Sequence, residues 1–340
     1  MATLPLSDFG ADSLDPFLER VDGRDVVRAQ VLGGDFCFES DSPELLQLVR
    51  LAYEGLAPHQ LPVSAPAFHI ELRLLPGRPV NGSAEPPAVR AQSGAGLLCG
   101  VMDECNYVVM SPEQGSALVV ASRDMLANPY HLRYELIEFA VFTLATRRLG
   151  LVPLHGACVG LNGRGVLLLG ASGSGKSTVA LHSLLRGLEF LAEDAVFVEA
   201  ESLVATGVAN FLHVKSDALG FVDDGAVQSW IREAPVIRRR SGVEKYEADL
   251  RRAPLPVASG SLELIATVFV SGRRAEDSRQ LLRAMPADAI GARLWADQPY
   301  ARGQPGWQIF QQHMIERGAY ELQRGPHPQA AVDALLTLLG

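Results

Sequence analysis

The run Gly170-Ala171-Ser172-Gly173-Ser174-Gly175-Lys176-Ser177 fits the pattern GxxxxGK followed by Ser or Thr, and it constrains the fold more than any other feature of the chain. Such a loop works between a strand and a helix, because its backbone N–H groups must turn together toward an anion at a helix N-terminus. Both flanks are present. Residues Gly165 to Leu169 (GVLLL) read as a buried strand leading in, and Ser177 to Arg186 as a helix leading out that stops at Gly187. The pattern predicts an α/β fold that holds nucleotide phosphates over Gly170 to Thr178. Lys176 is expected at the β- and γ-phosphates and the Ser177 hydroxyl on Mg²⁺, so that ATP and Mg²⁺ are the expected cofactors.

Two neighbours point at the same loop. Upstream, Leu154 to Leu161 reads as one apolar strand joined to the loop strand through Asn162-Gly163, a two-residue hairpin signal. Counting back from that turn sets His155 opposite Gly170, where an imidazole can orient a phosphate, move a proton, or simply cap a strand end. Downstream, Leu188 to Ala192 reads as a return strand, parallel to the loop strand and next to it. Its carboxyl end delivers Glu193 and Asp194 to the edge where ligands bind in open α/β sheets. Because adjacent strand residues face opposite ways, one acid is expected at the γ-phosphate, with Asp194 favoured. A carboxylate there either ligates Mg²⁺ or accepts a hydroxyl proton, and both roles stay open. The basic group Arg238-Arg239-Arg240 with Lys245, Arg251 and Arg252 reads as solvated surface, with phosphate binding as the alternative.

Before the loop, the pattern is that of a smaller α+β unit. VVRAQV and DFCFES flank Gly33-Gly34 and predict a hairpin over 26–39; Ser42 and Pro43 then open a helix that ends near Gly55. Phe68 to Leu74 alternates as a half-buried strand with His69 outward, Pro76 to Gly94 reads as loop, and GLLCGVM, NYVVM and ALVVAS as a meander. Asn128-Pro129 starts a helix running to Arg148, and the domain division is set before it, at 1–125 and 126–340. A strand over 262–270 and helices near 286–296, 302–317 and 328–339 complete the reading.

Composition narrows the function classes. A net charge of -9 opposes general nucleic-acid binding, which needs Lys and Arg against phosphates. The opening segment MATLPLSDFGADSLDPFLERVDGRD has no apolar core of a leader, and no stretch approaches the roughly 20 apolar residues of a membrane span. Four scattered cysteines, with no CxxC pair, suggest neither zinc nor a disulfide framework, and a reduced, cytoplasmic setting is expected.

The stretch from His155 to Val198, LHGACVGLNGRGVLLLGASGSGKSTVALHSLLRGLEFLAEDAVFV with its leading Leu154, resembles the core of the HPr kinase/phosphorylase family. The positions that carry the resemblance are His155-Gly156, the phosphate loop, Arg186-Gly187 and Ala192-Glu193-Asp194. The family's Gly-Asp-Ser-Gly reads Gly170-Ala171-Ser172-Gly173 here, its Glu after the loop reads Thr178, its first paired Asp reads Glu193, and its ExRGxG segment has no counterpart. The resemblance implies a phosphoenolpyruvate carboxykinase-like P-loop kinase core, with His155, Glu193 and Asp194 acting at the transferred phosphoryl group. It further implies phosphoryl transfer from ATP to a serine of a protein or biosynthetic peptide. The N-terminal unit would then help select the acceptor, and a homo-oligomer stays open. The alternative is a P-loop ATPase switch or nucleotide-binding scaffold without a phosphorylated acceptor.

Overall fold

A computed structural model describes residues 24–77, 85–255 and 260–340. The leader reading of residues 1–23 and part of the 76–94 loop lie outside them. The first sheet has seven strands, ordered Asp25–Val31, Gly34–Ser40, Ala67–Leu75, Ser116–Ser122, Tyr107–Ser111, Leu97–Val101 and Arg90–Gly94. In its opening hairpin Val31 faces Gly34, so the turn residues are Leu32 and Gly33, with φ of 53° and 82°, rather than Gly33-Gly34. Leu32 accepts the left-handed backbone because its side chain is buried in the core, which offsets the steric cost of about 1–2 kcal/mol. Gly34 serves packing instead: a Cβ there would lie 2.5 Å from the Phe68 ring. Arg90–Gly94, read from sequence as loop, is an edge strand whose side chains are all exposed, so no apolar alternation betrays it.

Ser42 caps the helix Pro43–Tyr53, its hydroxyl accepting the Leu45 N–H at 3.3 Å, and this helix covers the first sheet. The segment from Pro129 to Leu149 is helical throughout but irregular: an α turn to Leu132, a π turn over Arg133–Ile137, and an α-helix over Glu138–Leu149. Gly150, at φ 66°, ends it in the left-handed conformation that glycine accepts most readily. The division at 125/126 gives this helix to the second unit, yet Leu132, Leu136, Ala140 and Leu144 lie in the core cluster of the first sheet.

The second sheet is built round the loop strand Arg164–Leu169. Its neighbours are Ala157–Leu161, antiparallel, and Leu262–Arg274, parallel. Val166 and Leu168 face a core under the loop helix Lys176–Leu185 and the helix Pro328–Leu339. Leu167 and Leu169 face a second core under Ala287–Asp297 and Trp307–Arg317. Burial on both faces explains the unbroken apolar run, as in parallel sheets covered on both sides. A small third sheet, Phe211–Val214 with Glu244–Asp249 and Val236–Arg238, packs beside the loop helix. Among the described residues no helix is long and apolar enough to cross a membrane.

Two topological expectations are corrected. The return strand Glu189–Ala192 does run in the direction of the loop strand, but it pairs with Ala157–Leu161, so the hairpin partner lies between the two. The upstream segment is two strands rather than one: Ala157–Leu161 follows the counted register as far as Ala157 opposite Leu168, whereas Val152–His155 leaves to pair with Ala195–Val198. His155 therefore stands opposite Ala195, not Gly170. Gly156 is the crossing point, and a Cβ there would meet the Leu168 carbonyl oxygen at 2.7 Å and Leu169 Cδ2 at 2.6 Å. Gly156→Ala is expected to lower stability by about 1–3 kcal/mol in urea unfolding, since backbone must shift to admit the methyl group.

Candidate functional site

The loop owes its shape to three glycines. Gly170, Gly173 and Gly175 have φ of 136°, 81° and 109°, and Gly175 is the N-cap of the loop helix. At Gly170 a Cβ would also sit 2.6 Å from the Val270 carbonyl oxygen, so the parallel neighbour strand excludes any side chain. The Gly170 N–H donates to Asp297 Oδ2 at 3.2 Å, and the Ser174 N–H donates to the Ala171 carbonyl at 3.1 Å. Lys176 is buried and donates to the carbonyls of Gly170 at 2.5 Å and Ala171 at 3.3 Å. Desolvation lowers its pKa, opposed by the charges of Asp297 and Asp194.

The acidic pair divides its work. Glu193 turns inward, with 6% of its surface exposed, and meets the loop helix: the Ser177 hydroxyl donates to Oε1 at 3.1 Å. Lys245 Nζ reaches the same oxygen at 3.2 Å, while the His213 N–H donates to Oε2. Burial by itself would raise the Glu193 pKa, but the His213 charge and hydrogen bonds, with Lys245, outweigh it and hold the pKa at about 2. Asp194 stays half-exposed between His155 Nδ1 at 3.2 Å and Arg239 Nη1 at 2.8 Å. Burial again opposes, and Arg239 followed by His155 prevails, keeping the Asp194 carboxyl below its usual range.

The strand switch at Gly156 accounts for the histidine. Pairing of His155 with Ala195, and donation from the Gly156 N–H to the Asp194 carbonyl at 3.1 Å, bring the imidazole onto Asp194. Gln298, 2% exposed, clasps the backbone of His155 from the other side: its Oε1 accepts the N–H at 2.8 Å and its Nε2 donates to the carbonyl at 3.0 Å. The same Nε2 donates to Asp297 Oδ2 at 3.1 Å, so one amide links the histidine strand to the carboxylate under the loop.

Several of these groups escape sequence reading. Arg239 belongs to the basic run read as solvated surface; instead it closes on Asp194, and Arg240 binds Glu135 and the Pro86 and Pro87 carbonyls. Lys245 likewise turns into the site. His213, Asp297 and Gln298 carry no local motif. His213 sits between carboxylates, Nδ1 3.6 Å from Glu193 and Nε2 3.4 Å from Glu247, and its pKa is raised: burial opposes, Glu193 and the hydrogen bonds outweigh it. Beyond it, Glu247 pairs with buried Arg133 in the π turn, whose Nε lies 3.6 Å from Glu138.

These groups open on one cleft of about 380 Å³, lined by Ser172 to Val179, His155, Glu193, Asp194, Arg239 and Lys245. The sequence-predicted loop, histidine and acid pair thus meet at one place. The hydroxyl that was expected on the metal faces Glu193 rather than Asp194.

Residues 149–217 match the HPr Serine kinase C-terminal domain family, a span that contains the resemblance read from His155 to Val198. HPr kinase/phosphorylases of Chlorobium phaeobacteroides and Prosthecochloris aestuarii are each 40% identical, over 75 and 79 residues. That of Geobacter sulfurreducens is 39% identical over 75 residues. These matches take in 20% to 22% of this chain, and the chain spans about a fifth, 22% to 23%, of the length of these relatives. The Hpr(Ser) kinase/phosphatase from Coxiella burnetii aligns with a TM-score of 0.28 and 12% identity, over 55% of this chain and 99% of that one, too slight a likeness to define the fold. The loop-bearing segment is HPr kinase-like.

The depressed Glu193 pKa has a pH signature. Its contribution to stability is present above the unfolded value near 4.5 and is lost as pH falls toward about 2. Glu193→Gln should therefore flatten, without abolishing, the loss of stability between those values, measured by urea unfolding at a series of pH values. Asp194 and Glu247, also depressed, keep the remaining slope.

Proposed function

With an HPr kinase-like segment carrying the phosphate loop, we propose that this protein is an ATP-dependent serine kinase that transfers the γ-phosphoryl group to a hydroxyl of a protein or biosynthetic peptide. The supporting observation is the convergence on one cleft of a glycine cradle with Lys176, a Ser177–Glu193 pair and a His155–Asp194 pair. A phosphoenolpyruvate carboxykinase-like core, a cytoplasmic setting and acceptor selection by the N-terminal unit belong to the same reading.

The residues present fit a magnesium nucleotide. Ser177 and Glu193 offer hard oxygens 3.1 Å apart, and Mg²⁺ in phosphoryl-transfer sites takes one or two carboxylates plus phosphate oxygens. When bound, the ion would supply positive charge to the phosphate oxygens. Ser177 and Glu193 would hold it, with Asp194, which lines the same cleft, as the further carboxylate. The N–H groups of Ser172 to Thr178 cradle phosphate oxygens at the helix N-terminus, and Lys176 exchanges its two loop carbonyls for the β- and γ-oxygens.

At the acceptor side, Asp194 orients the serine hydroxyl and takes its proton as the oxygen–phosphorus bond forms and the bond to the ADP leaving oxygen breaks. A low basicity suits this task, since phosphoryl transfer leaves the proton on the acceptor until late and depends mainly on position. His155 fixes one Asp194 oxygen and Arg239 the other, and Arg239 also offers positive charge to the transferring group.

Labelled ATP and serine-containing peptides test the reading. Label is expected on peptide serine, falling by about 10²–10⁴ in Asp194→Asn while ATP affinity persists. Lys176→Met should lose both binding and transfer. Turnover of ATP with no labelled acceptor would support the switch reading instead, and absence of ATP binding would end both.

A further inference from the structure

We propose that the cleft carries a subsite for the purine base, built on Phe221 and His327 beside the loop helix. This rests on the nucleotide reading of the loop and adds what holds the nucleoside. The cleft does not stop at the phosphate loop: its lining continues along the loop helix to Leu181, then to Ala218, Phe221, His327 and Ala331. Its chemistry changes on the way. The loop end is lined by Lys176, Arg239, Lys245 and two acids; the rest of the lining joins aliphatic carbon and two rings to the polar Lys215, Asp217, Gln323 and Arg324.

The apolar part of this lining has a fixed floor and a partly exposed rim. Leu181, Ala218 and Ala331 are 1%, 7% and 6% exposed, each buried in the core that also holds the loop helix. Phe221 and His327 are both half-buried, edge to face, with ring centroids 5.6 Å apart and planes at 73°. His182, 2% exposed, backs the His327 ring at 5.4 Å and 87°, so the ring is held from behind. Burial pushes the His182 pKa down to about 4, which keeps it neutral beside its neighbour.

His327 also has a defined tautomer. It is the N-cap of Pro328–Leu339, and its Nδ1 accepts the Gln329 N–H at 3.2 Å. In the neutral ring the proton is then on Nε2, a donor. One N–H donor beside an aromatic face and an aliphatic floor matches a purine, which offers ring-nitrogen acceptors on an aromatic plane. Apolar surface with one or two placed polar groups is how small-ligand pockets fix orientation, and about 380 Å³ lies within their usual range of roughly 300–1,000 Å³. Phe221 ends the short helical turn Ser216–Phe221, which follows directly on the strand carrying His213. The base end and the phosphate end are thus tied to one strand.

Binding of ATP and of inorganic tripolyphosphate, each with Mg²⁺, to the full chain tests this by calorimetry. ATP is expected to bind the wild type at least about tenfold more tightly than tripolyphosphate, as an aromatic contact and one hydrogen bond together allow. Phe221→Ala should weaken ATP about five- to tenfold and leave tripolyphosphate unchanged. His327→Asn, which can still cap the helix, should weaken ATP selectively by a few-fold. Equal affinity of the wild type for the two ligands, or parallel loss of both in the variants, overturns the base subsite while the phosphate loop stands. A wild type that binds neither ligand overturns the nucleotide reading and the subsite with it.

Discussion

A carboxylate withdrawn from water survives as an anion only where cations and donors close round it, and Glu193 is the one on which this architecture turns. One oxygen faces Ser177 and Lys245, the other the backbone and ring of His213. These partners come from the loop helix and from two strands of the small third sheet, which no local sequence preference would bring together. Removing either cation leaves a buried charge short of compensation, a costlier loss than the pair itself is worth in stability. The acid thereby ties the third sheet to the loop helix.

The same logic extends away from the loop. His213 lies between Glu193 and Glu247, Glu247 binds Arg133, and Arg133 lies beside Glu138. Alternating charge runs from the loop helix to the irregular helix that covers the first sheet. Arg133 sits at the start of the π turn over Arg133–Ile137, buried and 4.4 Å from the Phe211 ring. Burial pushes Glu138 up to about 7, so the far end of the chain of charges is poised near neutrality while the Glu193 end is firmly ionised.

How much of this the sequence discloses depends on whether the cause is local. The shape of the glycine loop was legible because its glycines, lysine and helix cap act within nine residues. The Asn162-Gly163 turn was equally plain, with φ of 55° and 76° as the hairpin demands. His155 reached the site by a route the register count missed: the strand changes partner at Gly156, where a side chain would meet the Leu168 carbonyl, a constraint set by a neighbouring strand. Arg239 looked like part of a charge run because sequence shows composition, whereas its role follows from the hairpin of the third sheet carrying it over Asp194. Asp297 and Gln298 end a helix more than a hundred residues from the groups they bind, so only the folded chain reveals them.

Gln298 has a wider meaning for how this centre is divided along the chain. The stretch matching a known family closes at 217, yet the amide that grips the histidine strand, the carboxylate beneath the first loop glycine, and Lys245 and Arg239, which face the two acids, all come later. A graft of that stretch into a foreign scaffold would transplant the cradle with His155 and His213 and leave Arg239, Lys245, Asp297 and Gln298 behind. The cleft is therefore not a portable cassette: it is assembled from segments that only the tertiary structure makes neighbours.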